Sequence, residues 1–549
     1  MVTDSLDTDI VIVGGGPAGL MLANELGRRG IDVILLDQDA GTTAWPQANA
    51  TQARTMEHYR RLGFADEVRA AGLPPDYPTD IAYYTTFSGY ELARFSLPSA
   101  AQAKDMVRRL SGSWSAAELP HRVSQMYVEQ VLHRHAASLP TVSLRFGHRV
   151  TAINDRGDHV SASAEGPAGP VTVTGRYIVG CDGPRSMVRQ HLGIRYEGES
   201  GTVRDFVGGA MHAIHLRSAA IYDAFAGAPA WMNVNIHPHR RCFFIALDGA
   251  SEFVFHTQLK PGEDRDAVSE TQARTMFAEC MGRPVDFEIV SRTSWTAGFV
   301  LVAERLQAGR LFLAGDAAHL FTPTGGLGYN TAVDDAVNLG WKLAAVIAGW
   351  GGPGLLASYQ AERHPAAVRN TGYARGFADS LGGFRADPAI EDDSEEGARL
   401  RIEAGAYFDR HGRSEFNIPG ITFGTRYDGS PIIATDGTDP PPDRANEYVP
   451  TACPGGRAPH LWLDGETSLF DRFGFDFTLL RFAGSAETGA FEHAAATAGL
   501  PMAIVDIASD EARDLYGADY ALIRPDQMVA WRGNDCGEAE AAIERIRGA

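Results

Sequence analysis

Four apolar residues, Ile10–Val13, run directly into Gly14, and a second apolar run, Val33–Leu36, ends at Asp37. Such short, wholly apolar runs predict strands of a parallel sheet covered on both faces. Between them, PAGLMLANELGRRG predicts a helix, with Pro17 in its first turn and Gly30 after its end. Together these elements form a βαβ unit. RYIVGCDG and RLFLAGD are two further apolar strands that end in a glycine and an aspartate. Between Tyr196 and Arg292 the pattern becomes alternating and aromatic-rich, in GGAMHAIHL, PAWMNVNIH, RCFFIALDG and SEFVFHTQL, which predicts a separate mixed or antiparallel sheet. Helical periodicity follows from Asn330 to about Gly383, interrupted near GWGGPG. The acidic run RADPAIEDDSEEGARL reads as a solvated loop. In the tail, FTLLRFAG, MAIVDIAS, YALIRPD and MVAWRG alternate with helical stretches, the pattern of a small α/β domain.

Composition narrows the function classes. A chain of 549 residues implies two or three domains. A formal charge of −20 argues against nucleic acid and anionic membrane as partners, because both call for a basic surface. The amino end is acidic where a signal peptide is basic, and no apolar stretch reaches membrane-spanning length, so a cytoplasmic protein is expected. The five cysteines lie far apart, with no CxxC pair; they read as reduced structural thiols and suggest no metal site.

Three motifs carry chemistry. Gly14, Gly16 and Gly19 form GxGxxG between strand and helix, and Asp37 closes the next strand. This is the arrangement that brings a pyrophosphate to a helix amino end and a ribose to a carboxylate, and it suits FAD and NAD alike. GCDGPRSMVRQ places Asp182 and Gly183 after another strand, where an Asp-Gly turn is the simpler reading. The third, AGDAAHLFTPTGGLGYN, has Gly315 and Asp316 after a strand, then Pro323, Gly325, Gly326 and Gly328 ahead of a helix. Glycine is costly to order, so this density implies a need for bare backbone.

These motifs, in this order and with DDAVNLGWKL and SYQAERHP after them, resemble the single-component (class A) FAD-dependent aromatic hydroxylases, over about residues 8–370. The tail, through GGRAPHLWL and LIRPDQMVAWR, is similar to the thioredoxin-like appendage of the phenol hydroxylase and 2,4-dichlorophenol 6-monooxygenase branch. The resemblance implies an α/β protein with a Rossmann-like FAD-binding domain of the p-hydroxybenzoate hydroxylase type (1–75, 105–190 and 290–375). An interleaved mixed-sheet substrate domain (76–104 and 191–289), a connection (376–415) and a thioredoxin-like domain (416–549) complete it. It places the ADP half of FAD on Gly14, Gly16, Pro17, Ala18, Gly19, Asp37 and Gln38, and the flavin chain on Arg122 and Gln125. Asp182 and Gly183 belong to a motif shared by the FAD pyrophosphate and NAD(P)H. Gly315 and Asp316 meet the ribitol and phosphates; Pro323, Gly325, Gly326, Leu327, Gly328 and Asn330 line the ring. Where the family often has Arg, this chain has Gln47, which leaves Arg54 as the matching arginine. His319 is expected to be structural, and Asp334 and Asp335 are expected to start a helix.

The implied cycle has NAD(P)H reduce FAD, O2 form a flavin C4a-hydroperoxide, and one oxygen pass to an electron-rich ring. The ring belongs to a phenol, a hydroxypyridine or a natural-product aromatic. Arg241, Tyr222 and His212 are the expected catalytic groups on the sheet, with Asn233 and His237 behind them. Homo-oligomerisation is expected, and the tail, lacking paired cysteines, is expected to be structural. Baeyer–Villiger insertion into a polycyclic ketone, or flavin binding without turnover, are the alternatives.

Overall fold

The computed structural model describes residues 4–201, 204–482 and 487–549. The first three residues of the acidic amino end, and Ala483 and Gly484 at the end of the FTLLRFAG run, lie outside this description.

The strands Ile10–Val13 and Val33–Leu36 pair in parallel and are buried along their whole length, as their unbroken apolar character requires. Tyr177–Gly180 and Leu311–Leu313 extend the same sheet in parallel on the other side of Ile10–Val13. The carboxyl ends of three strands therefore deliver Gly14, Asp182 and Gly315 to one edge of the core. Ligands bind at such an edge in open α/β sheets. The helices used below are α1 (Pro17–Gly27), α2 (Ala53–Arg61), α3 (Gln125–Ala137), α4 (Leu327–Ile347), α5 (Ala357–Gly383) and α6 (Glu395–Phe416).

The alternating segments form a mixed seven-stranded sheet. Its middle is antiparallel, built from Gly209–Arg217, Glu252–Gln258, Cys242–Ala246 and Met232–Asn235; Ile81–Tyr84 then joins Met232–Asn235 in parallel. One face of this sheet carries Phe244, Phe253 and Phe255 and is covered by the helix Glu270–Met281 through Phe277. On the other face Tyr83 stacks on Phe408 of α6 at 4.8 Å.

The acidic run departs from the expected loop. Ser394 caps α6 by accepting from the Gly397 N–H, and Glu395 and Glu396 occupy the first turn, where carboxylates favour the helix dipole. The acidic character marks a helix start. Conversely, Asp334 and Asp335 do not start a helix: α4 begins at Leu327, so both lie two turns in, and Asp335 is fully buried.

The tail forms a four-stranded sheet in the order Met502–Ile507, Phe477–Phe482, Tyr520–Ile523, Val529–Gly533, with helices on its flanks. It seats on α2, α4 and α5 through buried ion pairs. Arg524 donates to both carboxylate oxygens of Glu362 at 2.7 and 2.9 Å, and Lys342 reaches the same carboxylate at 2.7 Å. Arg457 pairs with Glu57. Both arginines come from the two tail segments singled out by resemblance. Burial pushes Glu57 up, but Arg457 and Arg54 outweigh it and hold the carboxyl at about 2. All five cysteines are free, and among the described residues no helix is long and apolar enough to cross a membrane.

Candidate functional site at the strand ends

Each glycine of the first motif has a separate geometric task. A Cβ on Gly14 would lie 2.2 Å from the Cys181 carbonyl oxygen, and one on Gly19 would lie 2.0 Å from the Gly14 oxygen; these two allow strand, turn and helix to close on each other. A Cβ on Gly16 would meet nothing within 4 Å, so the space beside it is open at the amino end of α1. Pro17 opens α1 without losing a hydrogen bond, and Ala18 is buried where the Gly315 turn approaches. The Asp37 carboxylate accepts from the Gly15 N–H at 2.5 Å and the Asp39 N–H at 2.7 Å, which fixes the turn, and burial raises its pKa. Gln38 is exposed.

Asp182 partly meets the simple turn reading. One oxygen, Oδ2, accepts from the Met187 and Val188 N–H groups and caps the short helix there. The other, Oδ1, is buried with no hydrogen-bond partner. Asn49 Oδ1 and Ser124 Oγ are likewise buried and unpaired. Buried polar atoms are ordinarily satisfied, so the open Asp182 oxygen at the strand end fits a ligand that brings a hydroxyl to it.

Asp316 is exposed, yet the protein around it raises its carboxyl pKa, which is the setting of a residue on the wall of a deep cleft. Its turn is braced from two sides. Tyr196 donates its hydroxyl to the Asp316 carbonyl, and Arg189 supports Tyr196 at 2.7 Å. Behind the turn, Asp335 accepts from the Gly315 N–H at 3.1 Å, pairs with His319 at 2.6 Å and takes Arg363 Nε at 2.8 Å. Burial pushes Asp335 up, but His319 and Arg363 outweigh it and hold the carboxyl low. His319 is completely buried in this brace, a structural position.

The glycine loop is held by residues far away in sequence. Gly325 and Gly326 have φ of 65° and 63°, the left-handed region. The Gly325 N–H donates to Glu415 at 2.8 Å, and its carbonyl accepts from Gln52 at 2.9 Å. Asn330 receives the Gln52 N–H and donates to the carbonyls of Ala50 and Gly326. A Cβ on Gly326 would come 3.0 Å from that of Ala50, whereas one on Gly328 would make ordinary contact with Phe321. Bare backbone is therefore demanded at Gly325 and Gly326 and not at Gly328. Pro323 is exposed beside the loop, and Leu327 is buried against Phe377 and Ile418. The Gly325 N–H is thus occupied by Glu415. Nothing in the sequence flags a glutamate 90 residues downstream.

Ala50 is the register partner of Arg122 in a two-stranded ribbon, so that arginine lies beside the glycine loop. Gln125 opens α3, its amide nitrogen donating to Glu129 at 2.8 Å and Gln47 at 3.3 Å. Arg54 is turned elsewhere. Its guanidinium bonds Glu57, Gln527 and the Asp526 carbonyl, so its donors are spent on the tail rather than on a phosphate.

The expected catalytic groups divide by sheet face. Tyr222 packs on Phe244 and Phe253, with its hydroxyl bonded to Tyr77 at 3.0 Å and the Ala230 carbonyl at 2.9 Å. Asn233 is the register partner of Phe244, and His212 that of Thr257, so both share this helix-covered face. His212 bonds Ser294 at 3.0 Å, and burial pushes its pKa down to about 4. These three face away from α6 and the glycine loop; Tyr222 and His212 are corrected to packing residues. Arg241 lies on Phe206 at the sheet end and bonds the Leu381 and Phe384 carbonyls at 2.9 and 3.3 Å. His237 is in a partly exposed turn near Glu391.

Three strand ends thus meet at one edge of the parallel sheet, and a glycine loop is held by Gln52, Asn330 and Glu415. A family model described as an FAD binding domain matches residues 7–373, and one described as aromatic-ring hydroxylase, C-terminal, matches residues 451–549. The chain belongs to the FAD-dependent aromatic-ring hydroxylases. An FAD-dependent monooxygenase, apdD, of Emericella nidulans is 30% identical over 99% of this chain and 90% of its own length. Aklavinone 12-hydroxylase RdmE of Streptomyces purpurascens is 30% identical over 98% of this chain and 97% of its own. The structure of the rebeccamycin biosynthetic enzyme RebC with reduced flavin superposes with a TM-score of 0.89 at 31% identity, covering both chains completely. A ternary complex of aklavinone-11 hydroxylase with FAD and aklavinone gives 0.83 at 28% identity, over 99% of each chain. This hydroxylase is thus a flavoenzyme of the p-hydroxybenzoate hydroxylase-like fold.

Proposed function

We propose that this hydroxylase uses NAD(P)H and O2 to add one oxygen atom to a phenolic, multi-ring natural-product aromatic. The observation that carries the reading is that α6 joins the Gly325–Gly326 loop, through Glu415, to the side of the sheet that carries Tyr83 and Trp231. Relatives named for aklavinone and polyketide hydroxylation, similar along nearly the whole chain, support a large aromatic substrate over a simple phenol or hydroxypyridine.

Gly14, Gly16, Gly19 and Asp37 hold the adenosine half of FAD, with the α1 amino end toward the pyrophosphate. The open oxygen of Asp182, the Gln125 amide and Asp316 hold the hydroxylated chain. Gly325, Gly326 and the first turn of α4 hold the ring, where helix N–H groups favour negative charge near N1 and the C2 carbonyl. When bound, reduced FAD supplies the activated oxygen. The chain's own contribution is to orient the ring on the loop, and to cover the reaction with the sheet so that water stays out. The β-α-β-α-β-β-α order of the tail supports a thioredoxin-like unit with a structural role.

The test is NAD(P)H consumption by the FAD-loaded enzyme, measured without and with phenols, hydroxypyridines and hydroxylated anthraquinones. Stimulation by the multi-ring phenols is expected. A rate that no aromatic compound alters would contradict the proposal.

A further inference from the structure

Arginines buried in this chain are, with one exception among the described residues, hydrogen bonded. Arg54, Arg457 and Arg524 serve the tail boundary. Arg189 and Arg363 brace the Asp316 turn, and Arg240 and Arg241 close the sheet. Arg122 is the exception. It is 6% exposed, and no hydrogen bond or ion pair to its guanidinium is present among the described residues. Its Cζ sits 4.2 Å from the centroid of the Trp231 ring.

That contact holds the cation over the indole face through its central carbon, and no protein acceptor among the described residues takes its N–H groups. A buried cation with a full set of unused in-plane donors is unfavourable unless something supplies acceptors. The complement of this fork is an oxyanion, which it can take through two parallel hydrogen bonds. Burial pushes the guanidinium down to about 10, so it keeps its charge at neutral pH.

Its position points to the substrate. Arg122 is the register partner of Ala50, which touches Gly326, and Trp231 opens the sheet strand Met232–Asn235. The guanidinium therefore bridges the glycine loop and the sheet, in the space where the aromatic ring would lie. Trp231 is also set edge-on against Phe416 of α6, 6.5 Å between centroids, so the platform is fixed from behind.

We propose that Arg122, held over Trp231, is a substrate-binding residue that takes an acidic oxygen of the aromatic substrate, a phenolate or a carboxylate, in place of the flavin-chain contact that the family resemblance implies. The assignment rests on the hydroxylase reading for its location. Its readout is binding and needs no turnover, so the two can fail separately.

The experiment is calorimetric titration of the FAD-loaded enzyme at pH 8 with 2-hydroxyanthraquinone, anthraquinone-2-carboxylate and the neutral 2-methoxyanthraquinone. At least one of the two acidic probes should bind tenfold or more tightly than the methoxy compound, and which one does so identifies the oxyanion. Arg122→Met should abolish that preference while leaving the affinity for the methoxy compound unchanged. Arg122→Lys should keep part of the preference. Equal binding of all three probes, no binding of any, or a preference that survives in Arg122→Met would overturn the proposal. Loss of FAD from Arg122→Met would also overturn it, because the guanidinium would then serve the cofactor.

Discussion

Gly326 concentrates the demands of the site in one residue. Its left-handed backbone and its 3.0 Å approach to Ala50 leave no room for a branched side chain. A β-branched residue there incurs roughly 1–2 kcal/mol of backbone strain before any clash is counted. Gly326→Val should lower FAD affinity at least tenfold with little loss of secondary structure, and Gly328→Ala should be much milder, as read by flavin content after gel filtration. Equal effects at the two positions would refute the distinction drawn between them. Asp335 is the second critical residue. Asp335→Asn removes the charge that offsets buried Arg363 and that fixes Gly315 and His319, and breaking such a pair costs about 3–5 kcal/mol. A clear drop in melting temperature together with weaker FAD retention is expected. His319 was legible as structural through the family resemblance. The partner two turns into α4 was not, because only the fold brings residues 16 apart onto one carboxylate. Tyr222 and His212 show the opposite failure. Strand periodicity tells that alternate residues share a face, and a shift by one residue exchanges the faces. Alternation alone does not say which face meets the flavin.

At the scale of elements, α2, α4 and α5 are gripped by the tail. Arg524, Glu362 and Lys342 form one buried cluster, and Arg457, Glu57 and Arg54 another. Arg524→Met leaves the buried carboxylates of Glu362 and Asp526 with Lys342 as their one remaining cation and should destabilise the chain by about 3–5 kcal/mol. Because α4 begins at the Gly325–Gly326 loop, the same variant should also release FAD at a lower temperature than the wild type. The Glu57 carboxyl is depressed from 4.5 to about 2 in the folded chain. Its contribution, roughly 3 kcal/mol, is present above the ordinary value and is lost as pH falls through 4.5 toward 2. Thermal melts between pH 6 and pH 3 should therefore show a shallower pH dependence for Glu57→Gln than for the wild type. Parallel curves would mean that Glu57 carries no such linkage. The sequence marked both tail segments through their resemblance. The role of their arginines emerged only when Arg457 was found 400 residues from its partner Glu57.

For the whole molecule, the strands were legible wherever apolar runs were unbroken and ended in glycine or aspartate. The order of the three motifs sufficed to anticipate the flavoenzyme class and its layered architecture. The join between glycine loop and sheet was less legible, because it is made by contacts such as Gly325 to Glu415 and Arg122 to Trp231 that no local pattern encodes. Family membership fixes the chemistry more tightly than it fixes the substrate, so the fate of the oxygen atoms is the decisive readout. The most direct measurement supplies the FAD-loaded enzyme with NAD(P)H, isotopically labelled O2 and whichever aromatic compound most stimulates NAD(P)H consumption, and reads the product by mass spectrometry. One labelled oxygen atom in a new ring hydroxyl is predicted. A labelled lactone, or an unlabelled product formed while all the oxygen leaves as hydrogen peroxide, would contradict the account.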